Sequence, residues 1–266
     1  MDTLLVILLG CCCACFAEGD TRSGGSKARH GEWTKLEKEL EDLRTNNPKY
    51  KDPRTVGEGV ELRAEVMYNT AFYRGSAQWR NNHKSSAEEK ETIMKDYFGA
   101  LFEKLQIYFH KQSISVNITV ASVAEMNNLM EFYVNETKLI NAKKTLHNIQ
   151  VFGSSREKRK NTIFYLFTWP ESMGNPNRSL DLITAPGEHQ LGVSAAATKG
   201  TFCSTTTSAA LIRHHFRSGN FWSTAKASAT VFGSEHFLAI TGSDREEMAK
   251  TFSYVYARTF LWFMYE

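Results

Sequence analysis

The chain has 266 residues, a formal net charge of +3, 42% hydrophobic and 12% aromatic content, proportions that allow one substantial buried core. Both signs of charge are interspersed, and there is no arginine-rich stripe or aromatic-basic RNA signature, which argues against a nucleic-acid partner.

Residues 4–16 form an apolar run that ends in Cys15-Phe16-Ala17, with small residues at the two positions that signal peptidase reads. Residues 1–17 therefore read as a signal peptide, and the mature chain is expected to be secreted and to begin at Glu18. The run is too short to span a bilayer, and no later stretch reads as transmembrane, since the aromatic tail 252–265 is short and contains Arg258. Cys11, Cys12, Cys13 and Cys15 lie in the signal, leaving Cys203 as the one thiol of the mature chain and no internal disulfide. A buried free thiol is its expected state. Three sequons, at Asn117, Asn135 and Asn177, are compatible with a glycosylated secreted protein.

Residues 18–59 are polar, with Gly24-Gly25, a mixed-charge run at 35–44 and the breakers Pro48 and Pro53, and read as a tail or short helix ahead of the domain. Alternation of apolar and polar residues over 60–67 predicts a half-buried strand, so the core domain is expected to cover 60–266. Ser86 followed by Glu88 and Glu89 marks a helix start, and Ile93, Tyr97, Leu101, Leu105 and Tyr108 recur at helical spacing up to Lys111. Residues 114–123 carry the β-branched alternation of a second strand. Leu139, Ala142, Leu146 and Ile149 predict another helix, and 161–169 a buried third strand. The basic run 156–160 between them reads as a solvated loop. Strand, helix, strand, helix, strand is an α/β order with right-handed crossovers. Small residues over 187–208 predict an edge strand and a loop reaching Cys203; a last helix is expected over about 221–239, with a tail from Glu246.

That last helix carries the most telling pattern. The zinc-protease template H-E-x-x-H-x-x-G-x-x-H-D places two His one helical turn apart with a general-base Glu beside the first. Laid over the chain, it puts His236 on the second His and Ala239 on the Gly. Phe232 then stands for the first His, Gly233 for the Glu and Gly242 for the third His. The inverted motif H-x-x-E-H would use Glu235 and His236, but it also needs His at 232.

The order of elements together with these residues resembles the catalytic domain of reprolysins, the adamalysin-type metzincins that include arthropod salivary and snake-venom metalloproteases. The resemblance covers roughly 60–266. It rests on the opening strand and long helix, on Ala195-Ala-Ala-Thr-Lys-Gly-Thr-Phe-Cys-Ser204, which is similar to the family's G-L-A-Y-V-G-x-M-C-S edge strand and loop, and on the helix carrying His236. Phe263-Met264-Tyr265 would occupy the family's Met-turn. The resemblance implies an α/β fold with a twisted, mostly parallel sheet of about five strands, long helices, and a cleft beside an edge strand at Ala195, Ala196, Ala197 and Thr198 where peptides add as a strand.

Catalytic zinc takes three protein ligands and an open position for water. Losing two of the three ligands should weaken metal binding by on the order of 5–8 kcal/mol, and Gly233 leaves no base to deprotonate a metal-bound water. Glu235, adjacent to His236, would face another side of the helix. The expected function is therefore that of a secreted, glycosylated reprolysin-like pseudoprotease with no cofactor, which binds an extracellular protein or peptide through the former substrate cleft. The alternative is an active zinc metalloendopeptidase with an atypical ligand set, His236 plus His214 or His215. Cys203 has no His or Asp near it in the arrangement a thiol nucleophile needs.

Overall fold

A computed structural model describes residues 54–74, 87–133, 136–156, 159–169, 195–214, 216–219 and 221–263. Residues 1–17, read above as a signal peptide, most of the polar segment 18–59, Asn135, Asn177, His215 and Met264 lie outside these residues. In chain order the elements are β1 (Glu61–Tyr68), α1 (Thr70–Arg74), α2 (Ala87–Lys111), β2 (Asn117–Glu125), β3 (Phe132–Tyr133), β4 (Glu136–Ile140), α3 (Ala142–Arg156), β5 (Thr162–Thr168), β6 (Ala195–Ala197), β7 (Ser208–Arg213), α4 (Trp222–Val231) and α5 (Gly242–Phe263). The fold is mixed α/β. Among the described residues no helix is long and apolar enough to cross a membrane.

Five strands form one sheet in the order β2-β1-β5-β7-β6. β1 pairs in parallel with β2 and β5, and β5 with β7; β6 alone runs antiparallel, against β7. β3 and β4 make a separate antiparallel hairpin. Every residue of β5 and of β7 is buried, as expected of inner strands covered on both faces.

Strand alternation sorts the core into two layers. On one face Leu62, Ala64, Val66, Tyr165, Phe167 and Ile212 meet the apolar stripe of α2, whose Phe98, Phe102, Leu105 and Phe109 are buried. α4 and α5 join that layer through Ala225, Ala229, Met248 and Phe252. On the other face Phe164, Leu166, Ala209 and Leu211 pack against Ile149 of α3. Here α3 comes so close that a Cβ on Gly153 would lie 2.6 Å from the Phe164 ring and 2.7 Å from Thr207 Cγ2, so only glycine fits.

The chain departs from the expected elements in several places. The second strand starts at Asn117 and runs on to Glu125. Leu139 belongs to β4, and the helix after it begins at Ala142 and extends to Arg156. The short α1, the hairpin β3–β4 and the inner strand β7 were not anticipated. β7 reads Ser-Ala-Ala-Leu-Ile-Arg, a sequence poor in β-branched residues, and its strand form comes from pairing on both sides. The last predicted helix, 221–239, is a shorter helix followed by a loop. α4 ends at Val231, well before Ala239, and the residues expected to be a tail from Glu246 belong to α5.

Candidate functional site

Eight of the ten residues of α4 are buried: Trp222, Ser223, Thr224, Ala225, Ala227, Ser228, Ala229 and Val231. Lys226 and Thr230, one turn apart, are its two half-buried positions. The helix closes at Phe232 because Gly233 turns into the left-handed region, at φ +103°. Gly233 N–H donates to Thr230 O at 2.9 Å and Ser234 N–H to Ala229 O at 2.9 Å, the paired bonds of a Schellman cap. Phe232 and His236 are thus on opposite sides of a helix terminus and share no helix face, which corrects the expectation that one helix carries both.

Phe232 is fully buried. Its ring packs on Phe109 at 5.4 Å, Phe202 at 5.1 Å and Phe252 at 5.1 Å. Gly242, placed by the template on the third His, instead begins α5.

His236 lies in the loop between α4 and α5, with its side chain 45% exposed, and its Nδ1 stands 2.9 Å from Asp244 Oδ2. Asp244 also accepts the Thr241 hydroxyl at 2.6 Å, the Thr241 N–H at 2.9 Å and the Glu235 N–H at 3.1 Å. Burial raises the Asp244 pKa, but these hydrogen bonds outweigh it and hold the carboxyl below its ordinary value. Asp244 N–H in turn donates to Thr241 Oγ1 at 3.2 Å, so Thr241 and Asp244 form the capping box that starts α5. Ser234, buried beside this pair, donates its hydroxyl to the backbone carbonyl of His236 at 2.6 Å. Ser, His and Asp are together here without a triad, because the serine bonds the histidine backbone and not its ring.

β6 is the outer strand of the sheet next to α4, and its residues Ala195, Ala196 and Ala197 pair with Ile212, Leu211 and Ala210. Thr198 continues the pairing, donating its N–H to Ala209 O at 3.0 Å. In an antiparallel ladder hydrogen-bonded and non-bonded pairs alternate, so Thr198 and Ala196 face β7, while the backbone amides of Ala195 and Ala197 point to the outer edge. Among the described residues no strand pairs with that edge. The turn leaving β6 is tied to the helix end: Gly200 N–H donates to Thr230 O at 3.0 Å and Phe202 N–H to Val231 O at 3.2 Å. Lys199 Nζ reaches Glu235 Oε1 at 2.7 Å and holds that exposed carboxyl below its ordinary pKa.

A comparison with models of known protein families and a search of curated proteins find no match to this chain.

The other sequence candidates are scattered. His214 is buried at the end of β7, with Nε2 hydrogen-bonded to the Tyr97 hydroxyl and its ring beside Phe72 at 6.2 Å and Phe167 at 5.9 Å. His214, His236 and Asp244 do not form a group placed to hold a metal ion, and among the described residues no group of three or more His, Cys, Asp or Glu does. Cys203 is a buried free thiol whose pKa burial pushes up to about 12, so it stays protonated and unreactive at neutral pH. Asn117 is exposed at the start of β2, the opposite edge strand of the sheet. A surface pocket of about 490 Å³ lies between α2 and the β7–α4 loop, lined by Tyr97, Lys104 and Arg217 among others; it includes none of the candidates.

Sequence reasoning passed over Lys226, Ser234 and Asp244. The Asp was readable, since Thr241-Gly-Ser-Asp244 has the spacing of a capping box. Lys226 was not, because only the packing of α4 shows that it stands in the one half-open strip of that helix.

Proposed function

We propose that this protein is a secreted, reprolysin-like pseudoprotease that binds an extended segment of an extracellular protein or peptide along the outer edge of β6 and does not hydrolyse it. The observation that carries the reading is the antiparallel edge strand β6, unpaired on its outer side among the described residues and packed beside the buried helix α4, since the resemblance implies a substrate cleft between such an edge and a helix. Addition of a strand to such an edge takes its affinity from backbone hydrogen bonds, for which the outward amides of Ala195 and Ala197 are placed.

The zinc template can also be laid in a second register, set on the residue that ends α4. With the template's glycine on Gly233, its third His falls on His236, its first His on Lys226, its Glu on Ala227 and its second His on Thr230. One of the three His is retained in this register, as in the first. Lys226 is a cation and Thr230 donates its hydroxyl to Lys226 O at 2.9 Å, so the donor set does not fit zinc, and no carboxylate takes the place of the base. His236 keeps the carboxylate partner that a metal-ligating imidazole typically has, without the metal's other ligands.

The test is a binding screen with a library of capped hexapeptides, using the chain purified from a secretory host, followed by mass spectrometry of the bound peptides. Peptides should be retained uncut. Ala197→Pro, which removes one outward N–H while leaving the pairing of Ala196 with β7, should abolish retention. Retention unchanged in that variant would show that the edge is not the binding surface.

A further inference from the structure

We infer that Lys226 makes the groove beside β6 selective for a peptide that carries a carboxylate; this rests on the edge-strand reading above. Lys226 occupies a place where a charge is expensive. It sits in a helix whose other positions are nearly all closed, and among the described residues no carboxylate pairs with it. Its ammonium lies 5.8 Å from the centre of the Phe237 ring, a contact that steadies the cation without neutralising it. Burial accordingly pushes its pKa down from the ordinary lysine value, the mark of a cation that lacks a counter-ion.

The helix that carries this charge packs beside β6 and is tied to it by backbone hydrogen bonds. The turn leaving β6 is fixed to α4 through Gly200 N–H and Thr230 O, at 3.0 Å. Lys226 is one helical turn before Thr230, about 6 Å along the helix axis. On the edge-strand reading, a strand added to β6 runs beside the helix that carries Lys226, and we place the ammonium within its reach. The neighbouring groups already have partners, Lys199 with Glu235 and the His236 imidazole with Asp244. Among the described residues that leaves Lys226 as a cation beside β6 with an open demand for an anion. An Asp or Glu side chain, or a terminal carboxylate, on the bound strand would meet it with a charge-assisted hydrogen bond in a partly dry site.

The experiment uses a positional-scanning library of capped hexapeptides and the same library with free C-terminal carboxylates, on wild type, Lys226→Gln, Lys226→Arg and Ala197→Pro. Wild type should favour Asp or Glu at one position, or the free carboxylate, by roughly tenfold over the neutral counterpart. Lys226→Gln should erase that preference while leaving the neutral peptides bound as before, and Lys226→Arg should keep it. Ala197→Pro should abolish retention of acidic and neutral peptides alike. Peptides that bind wild type without any acidic preference, or a preference that survives Lys226→Gln, would overturn the selectivity while leaving the edge reading intact. Binding that is indifferent to Ala197→Pro would overturn the edge reading, and with it the groove on which this selectivity depends. A change of fold in Lys226→Gln would show as loss of the neutral peptides too, in which case Lys226→Arg decides.

Discussion

The ring of Phe232 meets the ring of Phe202 edge to face at 5.1 Å, in the core beside the turn after β6 that is hydrogen-bonded to the end of α4. Both residues are fully buried, and Phe109 and Phe252 complete the cluster. The position that the zinc template first assigns to a ligand is therefore part of the hydrophobic core. Phe232→Ala should destabilise the protein by about 3–5 kcal/mol, read as a shift of the urea midpoint. Phe232→His should also destabilise, because it buries an imidazole among aromatic rings, and it should gain no zinc affinity. Metal binding by that variant would show that position 232 faces the groove after all.

Gly233 holds the helix terminus at φ +103°, and a Cβ there would stand 3.3 Å from Thr251 Oγ1. Gly233→Ala forces a side chain into the left-handed region as well as into that contact. A loss of about 1–3 kcal/mol in equilibrium unfolding is expected. No measurable loss would mean that α4 runs on beyond Phe232, as the template overlay first suggested.

A second polar cluster contributes to the acid limb of stability. Glu125, at the end of β2, lies 2.5 Å from Lys90 Nζ and accepts the hydroxyls of Thr70 at 2.8 Å and Tyr73 at 3.1 Å. Burial pushes Glu125 up, but the bonds from Lys90, Thr70 and Asn127 outweigh it and bring the carboxyl down to about 2. The folded-state pKa is thus below the unfolded one, so this contribution is complete above the usual glutamate range and disappears as pH falls from about 5 towards 2. Glu125→Gln should lower stability at pH 7 by on the order of 1–2 kcal/mol, allowing for solvent screening of a partly exposed pair. It should also flatten the loss of stability between pH 5 and 2. An acid limb of unchanged slope would assign that limb to other carboxylates.

Much of the architecture was legible because it rests on periodicity. The strands β1 and β5 and the long stripe of α2 follow from alternation and from helical spacing of large apolar residues. β7 escaped because Ser-Ala-Ala-Leu-Ile-Arg acquires its strand form from two neighbours that are remote in sequence. The end of α4 was misplaced although the signal was present: Phe232-Gly233 is a helix stop, and matching the template to His236 overrode it. The edge strand of three alanines was legible from small residues before Cys203, whereas the isolation of Lys226 depends on the burial of its helix and has no mark in the local sequence.

Zinc content is the most direct discriminator between a binding protein and a peptidase. Elemental analysis of the chain after equilibration with zinc and desalting, on wild type and His236→Ala, should find no stoichiometric metal in either, and neither should cleave a broad peptide library in a chelator-sensitive way. One zinc per wild-type chain, lost in His236→Ala together with chelator-sensitive cleavage, would establish an active metalloendopeptidase instead.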